Sequence, residues 1–263
     1  MEFAAALVPA RLVLRYKRFL TDCVLEGGPR DGEAVMAHLA NPGSMMGLKA
    51  PGLRVWLEPN DNPSRKLKFT VRMVELPQGG PEADPGDLGP PGSGILVGVD
   101  TGVPNRVVGA ALRAGQVPGL EGYGAFRAEV KYGAASRVDF LATAEGLPQA
   151  YVEVKNVHLV RTPSLHEFPD SVTARGAKHL GELAAMVKAG HRAIMVYCIQ
   201  RGDGDRMALA ADLDPGYAAA FAAARAAGVE AVALRCHVTL GSAGADGARI
   251  GAISVDRPVP IAE

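Results

Sequence analysis

The first 76 residues alternate short apolar runs with turn residues. Segments 11–16, 19–26, 34–39, 54–58 and 69–76 carry aliphatic, aromatic and β-branched side chains in the short patterned runs of strands. Gly27-Gly28-Pro29, Asn41-Pro42-Gly43 and Asn60-Asp61-Asn62-Pro63 interrupt them with residues that favour turns. Several short strands packed into so little chain predict a small β-barrel, OB-type in the first instance and SH3-like as the alternative.

The rhythm then changes. Residues 77–94 are dense in Pro and Gly and poor in apolar positions, a composition that builds a linker or long loop. The predicted organisation is an OB-type nucleic-acid-binding domain over 1–80, the linker or loop over 81–94, and a second domain over 95–263. In that second part 95–99 reads as a strand and 104–114 as a helix with Pro104 in its first turn. Segments 128–132, 137–142 and 150–154 read as strands. Leu180, Leu183, Met186 and Val187 recur at helical spacing within 173–189, which ends at Gly190. A strand at 193–199, an alanine-rich helix at 217–227 before Gly228, and a strand at 229–235 complete an α/β pattern.

Composition adds bounds. With 263 residues, 48% of them hydrophobic and 21% charged, the chain has the make-up of a soluble globular protein with room for two cores. No apolar run approaches the roughly 20 residues that cross a bilayer, and Met1-Glu2-Phe3 lacks the basic start of a signal peptide. A cytoplasmic protein is expected. Cys23, Cys198 and Cys236 are too scattered for a zinc site and are expected as buried thiols. The net charge of zero excludes a global basic field. Locally the picture differs: through Leu76 there are 11 Lys and Arg against 8 Asp and Glu. Arg11, Arg15, Lys17 and Arg18 form one basic cluster, and Arg65, Lys66, Lys68 and Arg72 another.

Candidate chemistry concentrates in Ser136-Arg137-Val138-Asp139-Phe140 and Tyr151-Val152-Glu153-Val154-Lys155. Strand side chains alternate, so Glu153 and Lys155 leave one pleat together. Asp139 precedes Glu153 by a hairpin's length and can stand beside it on the next strand. Two convergent carboxylates suit Mg²⁺ or Mn²⁺ with a shell shared by water and phosphate. Lys155 can neutralise developing negative charge. An Asp followed by Glu-x-Lys is the pattern of the PD-(D/E)xK nucleases, and an ordinary strand ion pair is the competing reading. Glu129 is a further candidate metal ligand. Arg175 and Lys178 near a helix start can reach a phosphate, although Lys178 and Glu182 also suit an i,i+4 ion pair. His158, His166 and His179 show no metal-ligand spacing. Arg15, Tyr16, Lys17, Arg18 and Phe19 interleave cations with aromatics, which suits single-stranded nucleic acid, with Arg65 and Lys66 as further contacts. The Asn41-Pro42-Gly43 turn can offer N–H groups to an anion.

In order along the chain, Arg15-Tyr-Lys-Arg-Phe-Leu, Asn41-Pro-Gly-Ser-Met, Arg65-Lys-Leu, Pro104-Asn-Arg, Glu129-Val-Lys-Tyr-Gly, Ser136-Arg-Val-Asp-Phe, Tyr151-Val-Glu-Val-Lys-Asn-Val, Phe168-Pro-Asp and Arg175-Gly-Ala-Lys-His-Leu resemble the sugar fermentation stimulation protein (SfsA) family. The resemblance implies an OB-type DNA-binding barrel followed by a PD-(D/E)xK nuclease-like mixed-sheet α/β domain. It implies a nuclease-like core at Asp139, Glu153 and Lys155, DNA as partner and a regulatory role in sugar (maltose) metabolism. Two departures stand out: Leu39-Ala40-Asn41-Pro42-Gly43 replaces Cys-Pro-Asn-Thr-Gly, and Gly109-Ala110 replaces a helix glutamate. Two functions follow as expectations, a metal-dependent DNA nuclease or a DNA-binding regulator on a nuclease-derived fold. A homodimer is left open.

Overall fold

A computed structural model describes residues 1–80, 83–133 and 136–262. Two compact units emerge, one of Met1–Val103 with Gln200–Gly204 and His237–Ser254, the other of Pro104–Ile199, Asp205–Cys236 and the chain from Val255.

In the first unit, β1 (Val8–Tyr16), β2 (Leu20–Leu25), β3 (Ala34–His38), β4 (Arg54–Pro59) and β5 (Phe69–Leu76) form a sheet in the order β3-β2-β1-β4-β5. A parallel pairing of β3 with β5, Ala37 opposite Phe69, closes it into the five-stranded barrel of an OB domain. Alternation sets the core: Thr21, Cys23 and Leu25 point inward from β2, and Leu12, Val55, Leu57 and Val71 meet them. A bulge between Leu12 and Leu14 breaks that alternation in β1 and turns Val13 and Leu14 outward together.

The predicted strand at 95–99 belongs to this unit. As β6 (Ile95–Gly98) it pairs antiparallel with the second half of β5, Leu76 opposite Ile95. The Pro/Gly-rich segment therefore runs between two neighbouring strands, and the unit's boundary falls at Val103, not at residue 94. Pro81 and Glu82, where the predicted loop begins, lie outside the described residues. Glu75 explains how so polar a loop is held. Fully buried, its carboxylate accepts from Gly92 N at 3.0 Å, Gly94 N at 2.9 Å, Trp56 Nε1 at 2.9 Å and Arg54 Nη1 at 3.1 Å. Arg54 is equally buried and also binds Glu26. A charge out of water survives only when its lone pairs are filled this way.

In the second unit, α1 (Val103–Arg113) precedes β7 (Ala125–Tyr132), β8 (Ser136–Thr143) and β9 (Ala150–Val157). Then come β10 (Leu159–Thr162), β11 (Ser164–Phe168), α2 (Ala174–Lys188), β12 (Arg192–Ile199), β13 (Gly204–Leu209), α3 (Pro215–Ala226), β14 (Glu230–Leu240), β15 (Gly251–Val259) and β16 (Ile261–Ala262). The main sheet has the order β15-β14-β12-β9-β8-β7. β9, β12 and β14 run parallel because α2 and α3 carry the crossovers, while β8 and β7 are antiparallel additions. This is a mixed-sheet α/β domain. Leu180 and Leu183 of α2 and Tyr217 and Phe221 of α3 pack on Met195 and Tyr197 of β12. Thr173 caps α2 by accepting from Gly176 N, and Asp214 caps α3 by accepting from Tyr217 N. Asp214 also accepts from Thr173 N, which ties the two helix starts together. The small sheet β10-β11-β13-β16 and strand β15 had no clear sequence signal: the pieces are short, and Pro258 interrupts the last long one.

Among the described residues no helix is long and apolar enough to cross a membrane. Removing Glu75 would leave Arg54 to the carboxylate of Glu26 alone and strand the Trp56 indole N–H and the Gly92 and Gly94 amides, so Glu75→Ala should cost about 3–5 kcal/mol in urea unfolding. A loss below about 1 kcal/mol, the range of exposed pairs, would contradict that account of the loop.

Candidate active site

The ladder between β8 and β9 runs from Ala142 opposite Ala150 to Phe140 opposite Val152. At the next position side chains take over. Asp139 Oδ2 accepts from Val154 N at 2.7 Å, and Asp139 Oδ1 accepts from Asn105 Nδ2 of α1 at 2.7 Å. Glu153, one residue before that amide, sits 3% exposed on β9. Its Oε1 accepts from Lys155 Nζ at 2.7 Å and lies in very close contact with His179 Nδ1 of α2. Arg175, one turn earlier on α2, directs Nε to His179 Nε2 at 3.3 Å. The predicted pleat thus brings Asp139, Glu153 and Lys155 together, and two neighbouring helices add Asn105 and His179.

The electrostatics follow from burial and proximity. Burial and the charge of Glu153 push the Asp139 carboxyl above its usual range, against the pull of the Val154 and Asn105 donors. Burial alone would raise Glu153 as well, but His179 and Lys155 outweigh it and hold the carboxyl below its ordinary value. Nearby Tyr132 resists ionisation because it is buried and feels Glu153, Glu182 and Asp139. Negative charge is therefore pooled in one place. Glu153 Oε2 is buried and has no hydrogen-bond partner among the described residues.

An open pocket of 440 Å³ reaches these groups, lined by Glu129, Ser136, Arg137, Asp139, Glu153, Arg175, Lys178 and His179. Glu129 lies opposite Asp139 in the β7–β8 register, between the pairs Ala128–Phe140 and Val130–Val138. Its φ of 55° is unusual for a non-glycine strand residue, and such strain gathers at functional sites. Lys178 keeps the i,i+4 partnership with Glu182 at 3.5 Å and donates to Ser136 Oγ at 3.3 Å. Ala110 is exposed on α1, while Gly109 packs on the Phe140 ring, so α1 meets Asp139 through the Asn105 amide rather than through an acid. No group of three His, Cys, Asp or Glu among the described residues forms a metal-holding cluster. Two carboxylates with one open oxygen fit a small hard cation that keeps several waters.

The barrel carries the other candidates. Lys17, Arg18 and Phe19 form the exposed β1–β2 tip, with φ of 46° at Lys17 and 63° at Arg18. Phe19 stacks on His38, centroids 6.2 Å apart, beside exposed Met36. His38 is held below its ordinary pKa by partial burial and by the charges of Arg65 and Arg72. Arg65 and Lys66 are exposed between β4 and β5, and Tyr16 donates to Asp22 at 3.2 Å. Arg15 differs from expectation. Its guanidinium is committed to carbonyls, those of Arg18, Asn41, Gly43 and Ser44, at 2.8–3.3 Å. The Asn41 turn accordingly directs oxygens at a cation instead of N–H groups at an anion, and Gly43 N is taken by Asn41 Oδ1 at 2.8 Å.

Two family models match the chain, the SfsA N-terminal OB domain over residues 13–80 and the sugar fermentation stimulation protein RE domain over residues 102–242. The chain belongs to the sugar fermentation stimulation protein family. A sugar fermentation stimulation protein homolog of Dinoroseobacter shibae is 56% identical over 261 residues, covering 99% of this chain and 96% of the relative. The homolog of Brucella ovis is 50% identical, covering 91% and 92%. Among solved structures, that of Pyrococcus furiosus SfsA in complex with Ca²⁺ superposes with a TM-score of 0.79 at 21% identity, over 100% of this chain and 98% of that one. At that identity the likeness shows the fold that this family member shares.

Sequence spacing pointed to Asp139, Glu153 and Lys155 but to neither Asn105 nor His179. Asn105 lies in the Pro104-Asn-Arg segment, 34 residues before Asp139, and His179 has no metal-ligand spacing; only the fold brings them to the carboxylates. If the two carboxylates sense one another, Glu153→Gln should lower the Asp139 titration midpoint in carbon-13 NMR, since one of the two causes raising it is gone. An unchanged midpoint would show that they are electrostatically separate.

Proposed function

We propose that this protein is a Mg²⁺- or Mn²⁺-dependent phosphodiesterase that acts on DNA. One observation carries the reading: among the described residues Glu153 Oε2 is buried without a partner, beside a second carboxylate that already resists ionisation. Like charges so placed are stabilised by a cation between them. Asp139 and Glu153 would hold the ion, while Glu129 stands across the β7–β8 register from Asp139 without forming a three-acid cluster with them. A bound divalent ion lowers the pKa of a coordinated water and draws charge from phosphoryl oxygens.

The remaining groups suit a phosphodiester. Lys155 Nζ stands 2.7 Å from Glu153 and can neutralise charge that develops on the phosphoryl group. Arg137, Arg175 and Lys178 line the pocket and offer donors to neighbouring phosphates. On the barrel, Lys17, Arg18, Arg65 and Lys66 supply charge, while Tyr16, Phe19 and His38 offer faces for unpaired bases, which favours single-stranded DNA. Arg15 supports this surface by fixing the turn at Asn41. The RE domain that matches residues 102–242 and the Ca²⁺ bound by the Pyrococcus furiosus relative agree with a cation-dependent centre. Action on DNA in the cytoplasm would also give a route to a regulatory role in sugar (maltose) metabolism.

A second reading, a DNA-binding regulator that does not cut, is favoured by Ala110 in place of the family's helix glutamate. Cleavage separates the two. With Mn²⁺ or Mg²⁺, wild type should cut DNA, and Lys155→Ala should lose about 10²–10³-fold in rate while binding DNA undiminished. Wild type that cuts neither DNA nor RNA with either ion would leave the regulator.

A further inference from the structure

We infer that His179 is a positioning residue that fixes which oxygen of Glu153 faces the cation. The inference rests on the cation-dependent reading above and concerns a residue that the spacing of acids does not reveal. Glu153 has two equivalent oxygens, and rotation about its last torsion exchanges them. In the folded protein they are not equivalent. Oε1 receives both Lys155 Nζ, at 2.7 Å, and His179 Nδ1, whereas Oε2 is buried and has no donor among the described residues.

The direction of the histidine bond follows from its other side. Arg175 Nε approaches His179 Nε2 at 3.3 Å, and a guanidinium can only donate. Nε2 is then the acceptor, the ring proton resides on Nδ1, and Nδ1–H donates to Glu153 Oε1. Arg175 and His179 are one helical turn apart on α2, so the capped and aligned helix sets both ends of this chain at once. A lysine alone would hold Glu153 weakly, because its ammonium sits on a long flexible stem. The imidazole is 4% exposed, has only two torsions, and is held at both ring nitrogens. Groups that orient a metal-binding side chain in this way tune affinity without touching the ion.

A histidine that merely fills space makes a different prediction, which isosteres separate. The Asn side-chain amide nitrogen can occupy the place of Nδ1, while that of Gln can occupy the place of Nε2. Isothermal titration of Mn²⁺ alone into the full-length protein should therefore rank the variants. His179→Asn should stay within about threefold of wild type, while His179→Gln and His179→Ala should weaken binding by about 10- to 100-fold. Wild-type affinity in His179→Gln, or equal loss in His179→Asn and His179→Gln, would overturn the role of Nδ1 while leaving the cation site standing. Wild type that takes up no Mn²⁺ would end both readings. If His179→Ala fails to fold, the Asn and Gln pair still decides.

Discussion

Two carboxylates brought into one poorly solvated corner repel each other, and the candidate site is organised around that repulsion. A sheet could avoid it by letting Asp139 or Glu153 reach water. Here the surrounding elements prevent escape. Asn105 and the Val154 amide hold Asp139 by both oxygens, while Lys155 and His179 hold Glu153 by one. The donors lower the cost of ionising each group, yet Asp139 still resists it and one oxygen of Glu153 stays open. Such an arrangement spends stability at one point, as functional sites commonly do, and a divalent ion would relieve it.

The same logic of filled and unfilled lone pairs distinguishes this site from the buried charges of the barrel. Glu75 is as hidden as Glu153, but arginine, indole and two loop amides satisfy it, and its effect is to anchor a Pro/Gly-rich loop. Arg15 likewise spends its donors on a turn. These groups read as structure because they are complete. Glu153 reads as chemistry because it is not.

How much of this was legible in the sequence depends on the range of the interaction. Local patterns gave the barrel strands, the three helices and the Glu153–Lys155 pleat, since alternation, helical spacing and turn residues act over a few positions. Closure of the barrel by β3 on β5 and the capture of β6 by the same strand are long-range pairings with no local mark, so the boundary fell at residue 94 rather than at Val103. Asn105 and His179 reach the acids from 34 and 26 residues away, through helices whose packing no spacing rule encodes. Arg15 differs for the converse reason: the turn that takes up its donors is 26 to 29 residues away and leaves no mark in the run of cations and aromatics.

The central claim is that Asp139 and the open oxygen of Glu153 share a divalent cation. Crystals soaked in Mn²⁺ and measured at the manganese absorption edge test it most directly. The account predicts an anomalous peak in contact with Glu153 Oε2 and Asp139, with Glu153 Oε1 still held by Lys155 and His179. A map with no peak there, and with Glu153 Oε2 bonded instead to a protein donor or a water, would contradict it.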